Sequence, residues 1–167
     1  MLFQATHKTP VGELFLVSHE HILLAAGFKN FKDLFSKMDS SDLKLETKSV
    51  KNIPIISDLI KDYFDGDLSA LGGIKVRQPG AEFSQEVWKV MRKIPVGKTW
   101  SYSDLASRAG SPNAVRAAGT ACARNLIAPI IPCHRVVKSG GALGNYGYGL
   151  EIKDWLLRHE GALKQFR

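Results

Sequence analysis

The stretch LGGIKVRQPG, residues 71–80, divides this chain into two halves of different character. Its glycines and proline favour a short strand followed by a linker, because proline lacks an amide donor and glycine suits turns. The residues before it are β-prone and then helical. ELFLVSHEHILLAAGF (13–28) consists of two apolar runs around a polar His-Glu-His turn, the pattern of a β-hairpin. FKDLFSKM has helical spacing, and IPIISDLIKDYFDGD (53–67) reads as a helix stopped at Asp-Gly. The expected architecture is α+β: a small N-terminal antiparallel-sheet domain with helices over residues 1–78, then a mainly helical C-terminal domain over 79–167.

In the second half, Phe83, Val87, Val90, Met91 and Ile94 share one helical face, and Pro95 with Gly97 ends that run. This is a core helix. Ser101 can cap YSDLASRAG, with Asp104 as the acidic residue three positions on and Leu105 opening the apolar face. Gly110-Ser-Pro makes a turn, and NAVRAAGTACARN (113–125) restarts as an alanine-rich helix. Two short helices across a tight turn form a helix-turn-helix pattern, one shared with helical hairpins that bind nothing. Ala114, Ala117, Ala118, Gly119, Ala121 and Ala123 leave little bulk on the second helix, so a backbone or a nucleic-acid groove can approach closely. Arg116 and Arg124 are its long cations. Arg116 is either a surface arginine or one able to enter a DNA stack, whereas Arg124 can simply complement the helix C-terminus.

Charge follows the same division. Residues 1–78 carry ten basic and ten acidic side chains, and 79–167 carry thirteen and six, so the formal excess of +7 lies wholly in the second half. That asymmetry suits contact with a polyanion, and equally a solvated basic surface. No stretch approaches the roughly 18 apolar residues of a membrane span, and MLFQATHKTP lacks the charged-then-apolar order of a secretory leader. A cytoplasmic location, or a nuclear one in a eukaryote, is expected. Cys122 and Cys133 are too few for a disulfide framework and form no C-x-x-C pair, so free thiols without metal or cofactor are expected.

Cys133 stands in IPCHRVV (131–137), after a proline and before His134 and Arg135. A thiol with an ordinary pKa of about 8.5 is mostly protonated at neutral pH, so a nucleophilic role needs a base or a positive field. His134 is the neighbouring base. If 133–137 is extended, adjacent side chains point to opposite faces, and His134 reaches the sulfur only through a water or a bend. It then needs a carboxylate to orient it, for which Glu160 and Glu151 are both candidates. A buried structural cysteine in a proline-punctuated strand is the competing reading.

IPCHRVV, the following SGGALGNYGYGLEIKDWLLRHEG and the preceding VWKVMRKIPVGKTWSYSDLASRAGSPNAVRAAGTACARN together resemble the C-terminal domain of the O6-alkylguanine-DNA alkyltransferases, the methylated-DNA–protein-cysteine methyltransferases. The likeness is nearly continuous from Phe83 to Gly161. It implies direct reversal of DNA damage: an O6-alkylguanine, with O4-alkylthymine as a further candidate, is flipped from duplex DNA and its alkyl group passes irreversibly to Cys133. It further implies that His134 activates Cys133 through a water and is oriented by Glu160. Tyr102 assists rotation and protonates the departing base, and Arg116 fills the vacated stack. The DNA contacts implied are Tyr102, Ser103, Arg116, Ala117 and Arg124, through the minor groove. Asn125, Arg135, Tyr146 and Tyr148 are implied as supporting residues of the active site, Asn125 tying the helix-turn-helix to the cysteine segment and Tyr148 standing in the loop that walls the pocket, as a bulky gate or a stacking surface. No cofactor or metal is implied, and a monomer that acts once is expected. Leu126 and Ala128 depart from the family, standing where relatives have proline. Two other classes compete: a lesion-binding module, which typically carries tryptophan in place of the cysteine, and a cysteine hydrolase, which leaves the helix-turn-helix and the basic half unexplained.

Overall fold

The computed structural model describes residues 1–163. Two compact units are present. The first comprises Met1–Pro79 together with Leu126–Ile130. Its strands β1 (Leu2–Thr9), β2 (Gly12–His19) and β3 (Ile22–Gly27) form an antiparallel meander. The turn at Glu20 has φ 54°, so the expected His-Glu-His hairpin is present. Short outer strands β4 (Thr47–Ser49) and β5 (Lys75–Val76) pair in parallel with β1 and β3, making a mixed five-stranded sheet in the order β4-β1-β2-β3-β5. The parallel pairs arise because each outer strand is reached through helices, not through a tight hairpin.

Helix α1 (Phe31–Lys37) is capped by Asn30 and packs on β2 and β3, with Leu34 buried. A single turn, α2 (Ser40–Leu43), precedes β4. Helix α3 (Ile56–Phe64) buries Ile56, Ile60 and Tyr63 and is tied to β1 by a 2.7 Å hydrogen bond between Ser57 Oγ and His7 Nε2. It begins three residues later than IPIISDLIK suggests, because Ile55 adopts φ 71° and the Ile56 amide bonds the Pro54 carbonyl at 2.8 Å, a γ-turn.

Residues 126–130 belong to this unit although they lie far along the chain. Ala26 N donates to Leu126 O at 2.8 Å and Ala128 N to Ala26 O at 3.1 Å, a parallel bridge that uses the free edge of β3 beyond β5. A single cut between residues 78 and 79 does not capture this excursion, whose backbone groups find their partners on that sheet edge.

The second unit comprises Gly80–Asn125 and the chain from Ile131 onward. In α4 (Glu82–Met91) the residues Val87, Val90 and Met91 are buried, as is Ile94 just beyond, whereas Phe83 is half-buried. Trp88 is buried too, its indole N–H donating to the Ala121 carbonyl at 2.9 Å. Strand β6 (Trp100–Ser101) pairs in parallel with β7 (Val136–Val137). Helix α5 (Tyr102–Arg108) starts with the expected capping box: Ser101 Oγ accepts from Asp104 N and Asp104 Oδ2 from Ser101 N, both at 3.0 Å. Gly110 turns the chain at φ 90° into α6 (Val115–Ala123), and α4, α5 and α6 pack mutually. Helix α7 (Leu150–His159) closes the unit against the turn that carries Cys133.

Gly80 abuts the Trp88 ring so closely that a Cβ there would lie 2.7 Å from the indole. Because Trp88 is buried and hydrogen-bonded, it has little room to yield. Gly80→Ala is therefore expected to destabilise the protein by about 1–3 kcal/mol, read as a lowered Tm. An unchanged melt would show that the indole moves freely.

Candidate active site

Pro132 leads into a 3₁₀ turn over Cys133–Arg135, and β7 begins only at Val136. The extended conformation expected for 133–137 thus holds only from Val136 on. Successive side chains on a 3₁₀ turn diverge by about 120°, which still sends Cys133 and His134 in different directions. Cys133 is half-buried and lines a cavity of about 790 Å³, while His134 is fully buried. Among the described residues no hydrogen bond joins the His134 ring to the Cys133 sulfur, and Nδ1 of that ring has no hydrogen-bond partner.

Both candidate carboxylates lie in the last segment, and the geometry separates them. Glu151 is exposed in the first turn of α7, whereas Glu160, the C-cap of that helix, is 4% exposed. Glu160 Oε2 lies 2.9 Å from His134 Nε2 and accepts from Arg135 Nη2 at 3.0 Å, and its Oε1 accepts from Arg135 Nε at 2.8 Å. The remaining Arg135 nitrogen, Nη1, donates to the Ile94 carbonyl at 2.8 Å. Burial pushes the Glu160 carboxyl up, but His134 and Arg135 together outweigh it and hold the group far below the usual carboxylate range. An ionised carboxylate only accepts, so Nε2 of His134 carries the proton. Burial lowers the His134 pKa, with Glu160 opposing in part. The ring is therefore neutral, with a bare lone pair on Nδ1.

Asn125, just past the C-terminus of α6, donates through Nδ2 to the Ile131 carbonyl at 2.8 Å and to Cys133 Sγ at 3.3 Å. It thereby joins the helix-turn-helix to the cysteine segment. Burial raises the Cys133 pKa, and the Asn125 donation and the charge of Lys153 pull it back. Cys122 lines the same cavity, and burial with the nearby Cys133 pushes its thiol up to about 12. Both thiols are protonated at rest.

Tyr102 opens α5 and lines the cavity. Burial and the two cysteines raise its pKa against a hydrogen bond with the Asn145 backbone, so its hydroxyl keeps its proton. Arg116 is exposed at the start of α6 and lines the cavity as well, with the exposed Ala117 beside it. Tyr146 lines the cavity, but Tyr148 does not line it as expected; its ring meets Tyr146 edge-on, centroids 5.8 Å apart. The pocket wall there is glycine backbone and Leu150. Ser103 and Arg124 are exposed and lie outside the cavity.

One residue escaped the sequence reading. Lys153 is fully buried, its Nζ donating to Val136 O at 2.7 Å and Asn145 O at 3.1 Å, which pins the cavity-wall loop to the strand after the reactive turn. The signal was present: Lys153, Leu156, Leu157 and Glu160 follow i, i+3, i+4, i+7 spacing, placing two charges on an apolar stripe.

Comparison with known proteins gives this arrangement a context. Residues 82–162 match the family model described as 6-O-methylguanine DNA methyltransferase, DNA binding domain. The methylated-DNA–protein-cysteine methyltransferase of Salmonella typhimurium is 36% identical over 166 residues, covering 97% of each chain. That of Methanosarcina acetivorans is 35% identical over 161 residues, covering 96% of this chain and 99% of the relative. Among solved structures, Mycobacterium tuberculosis OGT in complex with DNA superposes with a TM-score of 0.81 at 32% identity, covering 96% of this chain and 93% of that one. With such likeness over nearly the whole length, joined to a half-buried cysteine beside a buried His-Glu pair, the chain belongs to the methylated-DNA–protein-cysteine methyltransferase family.

Proposed function

We propose that this protein repairs DNA by direct reversal, transferring the alkyl group of an O6-alkylguanine, flipped out of duplex DNA, to its own Cys133. One observation carries the reading: the reactive thiol and the exposed Arg116 of the second helix of the helix-turn-helix line the same cavity. Family membership supports alkyl transfer to cysteine, and the small residues of α6 support close approach to a minor groove.

The chemistry follows from the protonation states. The Cys133 proton moves to Nδ1 of His134, through a bridging water because ring and sulfur share no hydrogen bond. The resulting imidazolium is stabilised by the Glu160 carboxylate. The thiolate attacks the alkyl carbon, a carbon–sulfur bond forms as the carbon–O6 bond breaks, and the electron pair leaves with the guanine. Tyr102, a phenol that retains its proton, donates to the departing base. Arg116 is placed to occupy the gap in the stack, offsetting part of the few kcal/mol that extrusion costs. The product is a thioether, with no acyl carbon for water to attack, so Cys133 is used once, and a single protein molecule suffices for each lesion.

Two outcomes are expected. Incubation with a duplex bearing one O6-methylguanine, followed by peptide mass spectrometry, places a single methyl group on Cys133 and none on Cys133→Ser. More than one turnover per protein would contradict single use, and binding without transfer would contradict the transferase reading.

The second outcome concerns pH. Transfer requires neutral His134, whose pKa lies below its ordinary 6.5, so the acid limb of the single-turnover rate has its midpoint below 6.5. His134 and Glu160 both have folded-state values below their unfolded ones, so the unfolded chain binds more protons in acid. Stability is accordingly present above the ordinary histidine value and lost as pH falls below about 6.5 and through the carboxylate range. Glu160→Gln slows transfer on the order of 10²-fold and, by leaving buried Arg135 without its counter-charge, destabilises by about 3–5 kcal/mol. A stopped-flow rate profile and thermal melts across pH check these points; an acid limb centred above 6.5 would contradict the neutral resting state.

A further inference from the structure

A second recess lies in the same unit and shares no lining residue with the cavity of Cys133. It encloses about 590 Å³ between Val90 in the last turn of α4, Lys93, Pro95 and Lys98 of the following loop, and Trp100 with Arg108. Three of these are cations, and among the described residues no carboxylate lines the recess. Lys29, Lys37, Lys89 and Arg158 all pair with carboxylates, but among the described residues Lys93, Lys98 and Arg108 do not. The chain from Val87 to Ser103 has four basic residues and no acidic one.

The recess is built on fixed parts. The Arg108 guanidinium sits 4.1 Å from the centroid of the Trp100 ring. The loop turns at Gly97, φ 83°, where the Lys98 amide bonds the Pro95 carbonyl at 3.1 Å. A Cβ at Gly97 would lie 3.2 Å from the Glu160 carbonyl oxygen, and Arg135 holds the Ile94 carbonyl at 2.8 Å, so the loop that carries Pro95 and Lys98 is anchored to the reactive network. Helical side chains tilt toward the N-terminus, which is why Arg108, in the last turn of α5, reaches back to Trp100. The N-terminal end of α5, just after Trp100, presents Tyr102 to the reactive cavity.

We propose that this recess grips the phosphodiester backbone of the duplex flanking the lesion, a proposal that rests on the DNA-repair reading above. Unpaired cations beside the helix end that meets the damaged nucleotide are placed for a strand running past the cavity rim. One face of Trp100 is taken by Arg108, so the recess offers charge more than a stacking platform, which favours phosphate over a base.

The test is a salt titration of binding to an unmodified duplex, followed by fluorescence anisotropy, with wild type and the double variant Lys93→Ala/Lys98→Ala. Both lysines are exposed, and a thermal melt checks the fold of the variant. Each phosphate contact contributes about 0.9 to the slope of log K against log salt, so the variant should lose about 1.8 of slope. Between about 50 and 200 mM salt, wild type should then lose roughly tenfold more affinity than the variant. Equal slopes and affinities would overturn the proposal, as would recess-dependent binding of an oligoglutamate peptide with duplex affinity unaltered. The titration needs no alkyl transfer: a slope lost in a protein that transfers no methyl would uphold the recess and refute only the function it serves.

Discussion

A buried carboxylate left alone would take up a proton. Glu160 stays ionised because His134 Nε2 lies 2.9 Å away and Arg135 donates to both its oxygens at 2.8 and 3.0 Å. Much else in the second unit depends on that choice of state. The ionised Glu160 puts the histidine proton on Nε2, which leaves Nδ1 as an acceptor. Arg135 donates from its third nitrogen, Nη1, to the Ile94 carbonyl, so the same side chain fixes the loop after α4. The network is buried and paired, the condition under which an interior charge is tolerable.

Around it, the protein keeps its nucleophile inert until substrate arrives. Burial raises both cavity thiols, so neither is a resting thiolate. At Cys133, Asn125 and Lys153 supply the opposing bias toward ionisation, and each also holds backbone in place: Asn125 the Ile131 carbonyl, Lys153 those of Val136 and Asn145. Positioning and electrostatics are therefore carried by the same side chains. Substitution at either would change the shape of the cavity as well as the pKa of Cys133.

Much of this was legible in the sequence because it rests on local spacing. The capping box at Ser101 and Asp104, the buried face of α4 and the hairpin around Glu20 are each decided by residues within a few positions of one another. What was not legible depends on distant partners. Residues 126–130 join the first unit through Ala26, about a hundred residues earlier, and no local signal marks that edge as open. Glu160 and Glu151 could not be ranked, since only the packing of α7 shows which faces His134. Lys153 sat on an apolar stripe, a visible anomaly whose acceptors were two carbonyls elsewhere in the chain. The loop of Tyr148 does wall the pocket, but which of its side chains faces inward depends on the fold: Tyr146 lines the cavity and the Tyr148 ring meets Tyr146 edge-on.

The central claim is that His134 rests neutral with its proton on Nε2, held by an ionised Glu160. The most direct measurement is the ¹⁵N spectrum of the histidine rings in labelled protein at neutral pH, with the His134 signals assigned by their loss in His134→Gln. The account predicts a protonated Nε2 and a non-protonated Nδ1, persisting to below pH 6.5. A proton on Nδ1, or an imidazolium at neutral pH, would contradict it, because Cys133 would then have no base to receive its proton.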